Sequence, residues 1–204
     1  FQNIRANGIN AINIDAGDEL LDIIRTDGKR QILIATHDGM AVRFQETDVR
    51  PMGRAARGVR GVNLRKGDYV VSVCSVSQEG TEKILSVSEK GFGKQTIVSS
   101  YRLAKRGGIG VINMKTTEKT GKVVASFPIE EDSEIMIITQ QAKLIRLGVD
   151  KIRETGRSAQ GVTLIRCGDD DLVTSASLLA ADEEEEAEDT DAAADADDDK
   201  VEEL

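Results

Sequence analysis

The sequence predicts an all-β, propeller-like fold in which four-stranded blades of about 50 residues repeat along the chain. A glycine followed by alternating apolar residues recurs at Gly8, Gly58, Gly108 and Gly161, with spacings of 50, 50 and 53 residues. Short runs rich in Ile, Val and Thr, separated by Asp-Gly turns, are typical of β-hairpins. Leu-rich helical periodicity is missing, which favours strands over helices.

Two further registers repeat with nearly the same period. A glycine followed by a charged residue opens an apolar run at Gly17, Gly67 and Gly121, with spacings of 50 and 54 residues. The runs QILIAT, KILSVS and EIMIIT begin at Gln31, Lys83 and Glu134, which are 52 and 51 residues apart. Three independent registers indicate a true internal repeat.

The first repeat illustrates the predicted strands, which cover about residues 8–14, 20–25, 30–36 and 40–45. The third strand of a repeat is apolar without interruption, as in Ile32–Ala35. A strand that is apolar on both faces must be covered on both sides. We therefore expect each small sheet to lie between neighbouring sheets, as blades do in a propeller.

The repeats divide the chain into three blades, a closing segment and a tail. The blades are expected at about 8–57, 58–107 and 108–160, with closing strands at 161–180 and a disordered acidic tail at 181–204. Propellers usually contain about four to eight blades. Three blades and an abrupt start at Phe1, without Met, predict a partial ring that belongs to a larger propeller.

The charge of the chain is distributed unevenly. The net charge is −9, but the segment from Asp182 to Glu203 alone carries −13, which leaves +4 on residues 1–181. The tail has too few apolar residues to fold by itself. It is either a solubilising tail or a regulatory mimic of DNA that binds a basic surface of the same chain.

Composition excludes several classes of protein. No apolar run reaches 18 residues, which argues against a transmembrane helix, and the two widely spaced cysteines suit a reducing cytosol and so predict a cytoplasmic protein. Cys74 and Cys167 match no metal-site spacing, and one His cannot supply a His-rich metal centre. Six aromatic residues and no Trp argue against a base-stacking surface for single strands. We expect no catalytic residue, no metal and no cofactor in this segment.

Basic residues recur in the connections between repeats. These connections cover about residues 44–58, 96–108 and 147–161, and each leaves the end of a predicted fourth strand. The candidate DNA-binding residues in and around them are Arg43, Arg50, Arg54, Arg57, Arg60, Lys94, Arg102, Lys105, Arg106, Arg146, Arg153 and Arg157. Connections that occupy the same place in every blade should align their charges along one rim. A basic rim without a recognition helix predicts binding to duplex DNA through its phosphates, without sequence preference.

The chain resembles the C-terminal domain of the A protein of DNA gyrase, which is closely related to the A protein of topoisomerase IV. The resemblance covers essentially all of residues 1–180 and is carried by these stretches: DELLDI from Asp18, GMAVRF from Gly39, VRPMGRAARGVRGVNLRKGD from Val49, GFGKQTIVSSY from Gly91 and GRSAQGVTLIR from Gly156. It implies a β-pinwheel, a six-bladed, propeller-like disc whose blades exchange strands. This chain would supply the last three blades and the acidic tail.

The resemblance also implies a function. Gyrase A domains of this kind wrap duplex DNA around a basic rim, which allows the enzyme to introduce negative supercoils at the expense of ATP. The implied partners are duplex DNA, the rest of the gyrase A protein and the gyrase B protein in an A2B2 heterotetramer, associated with the nucleoid. ATP and Mg²⁺ would be bound outside this segment, and neither Tyr69 nor Tyr101 matches the setting of the family's cleaving tyrosine.

A partial match to the family's Gln-Arg-Arg-Gly-Gly-Lys-Gly box lies at residues 104–110. Its matching residues are Lys105, Arg106, Gly107, Gly108 and Gly110, whereas Ala104 replaces Gln and Ile109 replaces Lys. The family's own box belongs to its first blade, which this chain would lack. The match is either a second anchoring point for DNA or only the tight turn that opens a blade.

Several alternatives remain open. The chain could be the corresponding domain of topoisomerase IV, which would serve decatenation, or a propeller scaffold for protein partners. Gly91–Thr96 superficially matches a phosphate loop, but no helix follows, so a hairpin turn is expected. His37 is expected in an exposed turn and Asp169–Asp171 in a solvated turn.

Overall fold

The computed structural model describes residues 6–168 and 170–179, which form an antiparallel all-β structure. The strands are β1 (Gln31–Thr36), β2 (Met40–Gln45), β3 (Val70–Val76), β4 (Lys83–Ser88), β5 (Phe92–Ile97), β6 (Val111–Ile112), β7 (Val123–Ile129), β8 (Glu134–Thr139), β9 (Leu144–Gly148), β10 (Val162–Thr163) and β11 (Val173–Leu178). One-turn 3₁₀ helices follow β2, β5 and β9 at Glu46–Asp48, Val98–Ser100 and Val149–Lys151.

The strands form three sheets, one for each hairpin. The orders are β3-β1-β2-β6, β7-β4-β5-β10 and β11-β8-β9. Each sheet therefore contains a local hairpin and a long strand from further along the chain. The first two sheets also contain a short strand from beyond the next hairpin. The sequence prediction of an all-β blade fold is confirmed, and the strands are exchanged between repeats.

The predicted strand composition of the first blade is wrong. Residues 8–14 and 20–25 form no strand, and hairpin β1–β2 pairs instead with β3 and β6. The first sheet therefore crosses the blade boundaries expected at 57/58 and 107/108, the second crosses those at 107/108 and 160/161, and the third crosses that at 160/161. The local hairpins follow the prediction closely, because β1 and β2 match the expected ranges 30–36 and 40–45.

The sheets pack face to face around apolar cores. Leu33, Ala35, Ile84 and Val98 belong to a core between the first two sheets. A second core joins the second and third sheets through residues such as Leu85 and Ile137. Burial of these aliphatic side chains supplies the main driving force for stacking the blades.

The third strand of the predicted repeat is buried on both faces in the first sheet. In β1 five of six residues are buried, which confirms the expectation from its uninterrupted apolar run. β8 instead alternates between buried and partly exposed residues. This difference follows from packing, because the described residues cover β8 with one neighbouring sheet only.

The long strands β3, β7 and β11 lie side by side on the inner side of the three sheets. β2 and β5 therefore lie towards the outside, and β6 and β10 form the outermost strands of their sheets.

A buried polar cluster adds specific contacts between the first two sheets. The Tyr101 hydroxyl donates to Oδ1 of Asn113 at 2.6 Å, and Nδ2 of Asn113 donates to the Ser126 hydroxyl at 3.0 Å.

No helix among residues 6–168 and 170–179 has the length and apolarity needed to cross a membrane. The acidic segment 181–204 lies outside the described residues. Both roles expected for it remain predictions.

Candidate nucleic-acid interface

The connections between sheets run along the outer strands. After its 3₁₀ helix, the second connection passes beside β2, where the Ala104 amide donates to the carbonyl of Arg43 at 2.9 Å. The third connection passes beside β5 in the same way, because the Thr155 amide donates to the carbonyl of Gln95 at 2.9 Å. Main-chain hydrogen bonds therefore fix both connections to the outer edge of the preceding sheet.

The structure reveals a repeated pattern in the three connections, Arg-x-x-x-Arg-x-x-x-Gly. We call its first arginine the outer arginine and its second the latch arginine. The outer arginines are Arg50, Arg102 and Arg153, the latch arginines are Arg54, Arg106 and Arg157, and the glycines are Gly58, Gly110 and Gly161. The equivalent positions are 52 and 51 residues apart throughout.

This pattern corrects the glycine register predicted from the sequence, which placed Gly108 opposite Gly58 and Gly161. The equivalent residue is Gly110, which directly precedes β6 just as Gly161 precedes β10. Gly110 and Gly161 have φ of 86° and 83°, a backbone conformation that side chains disfavour. A Cβ at either position would also collide with a carbonyl of the neighbouring strand, that of Ala41 or of Gly93.

The latch arginines bind backbone carbonyls that lie 44 to 46 residues earlier in the chain, close to one repeat period. Nη1 of Arg106 donates to the carbonyl of Arg60 at 2.9 Å, and its Nε donates to the carbonyl of Asp48 at 3.0 Å. Nη1 of Arg157 donates to the carbonyl of Ile112 at 3.0 Å, and Nη1 of Arg54 approaches that of Asn10 at 3.4 Å. The same arginine-to-carbonyl contact therefore occurs three times, once for each connection.

The outer arginines, unlike the latch arginines, direct their side chains to solvent. Arg50, Arg102 and Arg153 are exposed, and none forms a side-chain hydrogen bond or ion pair with the described part of the chain. Their backbone sets their direction. Tyr101 and Ile152 are buried in extended conformations after their 3₁₀ helices, and successive side chains in extended chain point to opposite sides. Arg102 and Arg153 therefore point away from the core.

Arg43 was predicted to contact DNA, and the structure corrects this. Its side chain is buried in the first sheet. Its Nε donates to Oε1 of Gln31 at 2.6 Å, and its Nη1 donates to the carbonyls of Val98 and Tyr101 at 2.8 and 3.1 Å. Burial lowers the pKa of Arg43, while the charge of Glu82 acts in the opposite direction. Arg43 therefore joins the first hairpin to the next 3₁₀ helix.

The residue equivalent to Arg43 in the second sheet is Gln95, not Lys94. Leu33 pairs with Arg43 in the first hairpin, as Leu85 pairs with Gln95 in the second. Nε2 of Gln95 donates to the carbonyl of Val149 at 2.5 Å, which repeats the contact of Arg43. The sequence prediction missed Gln95 because it aligned residues by charge, whereas alignment on the hairpin glycines Gly39 and Gly91 would have found it.

Lys94 is the second correction to the predicted DNA contacts. A shift of one residue in a strand moves a side chain to the other face, and Lys94 is completely buried there. Its Nζ donates to the Thr96 hydroxyl at 2.7 Å and to the carbonyl of Gly156 at 3.1 Å. Burial, with a smaller contribution from the charge of Arg157, lowers the pKa of Lys94 to about 8.

Arg146 is the true equivalent of Arg43 in the third sheet, because Met136 pairs with Arg146. It is exposed and forms an ion pair with Glu134, the residue that corresponds to Gln31. Arg57 is also exposed and forms an ion pair with Asp15 at 3.1 Å. Arg60 is exposed, and its carbonyl accepts the hydrogen bond of Arg106.

The box-like turn combines a structural part with an exposed part. Arg106 is used in the inter-repeat contacts, and the Gly107 amide donates to the carbonyl of Gly61 at 2.6 Å. Lys105 and Gly108 are exposed, and the turn borders a shallow cavity of about 220 Å³ that Arg102 and Lys105 also line. The turn is therefore tight and also presents an exposed cation, and its role as an anchoring point for DNA stays a prediction.

The structure also shows the surroundings of the other residues that the sequence singled out. His37 is half-buried, not exposed as expected: its ring stacks on Tyr69 with 4.4 Å between centroids, and its Nδ1 lies 3.0 Å from the carbonyl of Val123. Residues 92–97 form β5, as the hairpin interpretation of Gly91–Thr96 predicts. Asp169 lies outside the described residues. Among those described, no three His, Cys, Asp or Glu side chains are grouped as a metal site would require.

Comparisons with known proteins agree with this architecture. The family model of the DNA gyrase C-terminal domain, beta-propeller, matches residues 1–27, 30–77, 82–130 and 133–180. The DNA gyrase A protein of Helicobacter pylori is 45% identical over 171 residues, which cover 83% of this chain and 21% of that protein. The DNA gyrase A protein of Staphylococcus aureus is 41% identical over 177 residues, which cover 87% of this chain and 20% of that protein.

Solved structures show the same fold. The C-terminal domain of DNA gyrase A matches with a TM-score of 0.74 and 30% identity, over 85% of this chain and 59% of that one. The C-terminal domain of DNA topoisomerase IV matches with a TM-score of 0.81 at 24% identity, over 88% of this chain and 56% of that one. The chain spans about a fifth of the length of the curated relatives. With strand exchange, repeat period and family match in agreement, this chain belongs to the family of DNA gyrase A C-terminal domains.

Proposed function

We propose that this chain binds duplex DNA without sequence preference along the outer edge of its sheets and bends it there. The observation that carries this proposal is the repeated placement of exposed cations in the connections. Those that remain after the buried and latch residues are set apart are Arg50, Arg57, Arg60, Arg102, Lys105, Arg146 and Arg153. Phosphates are the ligand that such a series of cations fits, because it offers charge without base-reading geometry.

The larger role follows from the relatives. The chain would act within a gyrase composed of A and B proteins, in which wrapped DNA is presented for strand passage and ATP hydrolysis drives negative supercoiling. The chemistry of cleavage and ATP hydrolysis would belong to the remaining four fifths of a protein like these relatives and to the gyrase B protein. This segment would contribute curvature and charge.

Salt dependence of binding tests the first step. With about six to eight phosphate contacts, log affinity should fall against log salt with a slope of roughly −5 to −7. The 204-residue chain would be titrated with two duplexes of unrelated sequence by fluorescence anisotropy. Equal slopes and similar affinities for both duplexes are expected. A flat salt response, or strong preference for one sequence, would overturn the proposal.

Topoisomerase IV remains the alternative enzyme, because its domain shares this fold. The greater sequence identity to gyrase A proteins favours gyrase. The chain would be joined to the rest of a gyrase A protein, combined with the gyrase B protein and supplied with ATP. Negative supercoiling of relaxed plasmid is expected, whereas decatenation without supercoiling would favour the topoisomerase IV assignment.

A further inference from the structure

We propose that the two arginines of the repeated pattern have separate tasks. The outer arginines Arg50, Arg102 and Arg153 bind DNA phosphates, one for each repeat, and the latch arginines hold each connection to backbone about one repeat period earlier in the chain. This inference rests on the proposed DNA-binding function. It divides the basic residues of the connections into ligands of DNA and parts of the scaffold.

The outer arginines occupy equivalent positions in the repeats. The outer arginines are separated by 52 and 51 residues, the same spacings as the latch arginines and the pattern glycines. Each follows its 3₁₀ helix at the same distance, two residues after Asp48, Ser100 or Lys151. Local structure therefore places one guanidinium at an equivalent point of every repeat.

The two kinds of arginine differ in how many of their hydrogen-bond donors are already used. A latch arginine already uses its Nη1 on a main-chain carbonyl, so part of its donor fork is occupied. An outer arginine contacts no acceptor among residues 6–168 and 170–179, so its five donors face solvent. A guanidinium can bind a phosphate with two parallel hydrogen bonds only when two adjacent donors are available.

The backbone that carries Arg102 and Arg153 is held in place by main-chain hydrogen bonds. Arg102 and Arg153 lie on backbone that is hydrogen-bonded to the outer strand of the preceding sheet, through the amides of Ala104 and Thr155. The Gln95 amide also donates directly to the carbonyl of Arg153 at 3.3 Å. Anchored backbone reduces the entropy that must be lost when a phosphate is bound. A regular series of such anchors also favours a regularly bent duplex.

The test compares two variants that lose the same charge. The outer variant is R50Q/R102Q/R153Q. The control variant is K29Q/K66Q/R166Q, which changes three exposed cations that lie outside the three connections and form no side-chain hydrogen bond or ion pair with the described residues. Both are measured in the 204-residue chain by anisotropy with duplex DNA over a salt series.

Each phosphate contact contributes about 0.9 to the slope of log affinity against log salt. We expect the outer variant to reduce the magnitude of the slope by about 2.7 and to weaken binding by roughly 10²- to 10³-fold near 0.1 M salt. The control variant should retain the wild-type slope within about 0.5. R50K/R102K/R153K should keep the slope but bind more weakly, because Lys cannot form the two-pronged contact.

Equal slopes for the outer and control variants would overturn the division of tasks while leaving DNA binding itself intact. Loss of the difference between R50K/R102K/R153K and wild type would overturn the two-pronged contact. If wild type shows no salt-dependent binding, the proposed function fails first. Thermal unfolding of each variant checks folding, and unchanged midpoints are expected because the outer arginines make no contacts to lose.

Discussion

Nη1 of Arg106 donates a hydrogen bond to the carbonyl of Arg60 at 2.9 Å, which joins two basic segments of the chain that lie 46 residues apart. The same side chain also binds the carbonyl of Asp48 through its Nε. A residue that a charge count assigns to DNA binding therefore holds the scaffold. The two other latch arginines repeat the carbonyl contact, so one basic residue of each pattern is used in a contact within the scaffold.

Replacing the latch residue should lower stability. Arg106→Met removes two hydrogen bonds but keeps most of the aliphatic length, so we expect a loss of about 1 kcal/mol in the free energy of unfolding. For a chain of this size, that loss corresponds to a fall of about 2–4 °C in the melting temperature. Arg102→Met is the matched control and should change the midpoint by less than about 1 °C. Equal destabilisation of both variants would contradict the latch assignment.

The glycine that ends the pattern is expected to be sensitive to substitution. Gly110 has φ of 86°, and a Cβ there would meet the carbonyl of Ala41. We expect Gly110→Ala to cost at least about 2 kcal/mol, because left-handed backbone and a steric conflict act together. Gly156→Ala is the control, since a Cβ at Gly156 meets no atom within 4 Å. Urea unfolding of both variants measures the difference, and a similar cost at both positions would refute the steric explanation.

The buried cation in the second sheet predicts a specific pH dependence. Lys94 has a pKa of about 8 in the folded chain and about 10.5 when unfolded. Between these values the unfolded chain binds more protons, so the contribution of Lys94 to stability rises with pH. From pH 7 to 9.5, wild type should gain about 2 kcal/mol relative to Lys94→Met.

Comparison with Lys94→Met is necessary because other groups act in the opposite direction. Burial raises the pKa of Cys74 to about 12, so its contribution to stability falls as pH rises above the pKa of the unfolded thiol. Both proteins share this effect, and it cancels in the difference. Urea unfolding at pH 7 and 9.5 gives the two free energies. A difference that does not change with pH would mean that Lys94 is not held in a low-pKa environment.

Local features of this fold were predictable from the sequence, and long-range pairing was not. Short apolar runs with Asp-Gly turns determine a hairpin such as β1–β2, because its contacts lie within about 15 residues. The strands that complete each sheet come from later repeats, as β3 and β6 do for the first hairpin. Every repeat offers chemically similar strands, so the pattern alone does not determine which hairpin each one joins.

The candidate site was predictable in its region but not in every residue. The recurrence of basic connections identified the outer edge, where Arg50, Arg102 and Arg153 are exposed. Arg43 and Lys94 were misassigned because β2 and β5 are buried on both faces, so a cation on either face is covered, whereas Arg146, at the position equivalent to Arg43, is exposed. Whether an arginine contacts solvent or a carbonyl, as Arg106 does, depends on neighbouring repeats and is absent from local sequence.

The acidic tail offers a prediction that depends on its charge alone. Asp182–Glu203 carries −13 and is covalently joined to a segment of +4, so its effective concentration near the basic connections is high. If it competes with DNA, removal of residues 182–204 should raise DNA affinity by about tenfold at low salt. The difference should shrink as salt increases, because screening weakens the tail and its competitor alike.

A variant of equal length separates charge from bulk in this experiment. All Asp and Glu residues from Asp182 to Glu203 would be changed to Asn and Gln, which removes the negative charge but keeps the chain. This variant should match the truncated protein in affinity if electrostatic competition is the cause. Equal affinity of the full and truncated chains at low salt would instead identify the tail as a solubilising segment, because its charge would then not compete with DNA for the basic connections.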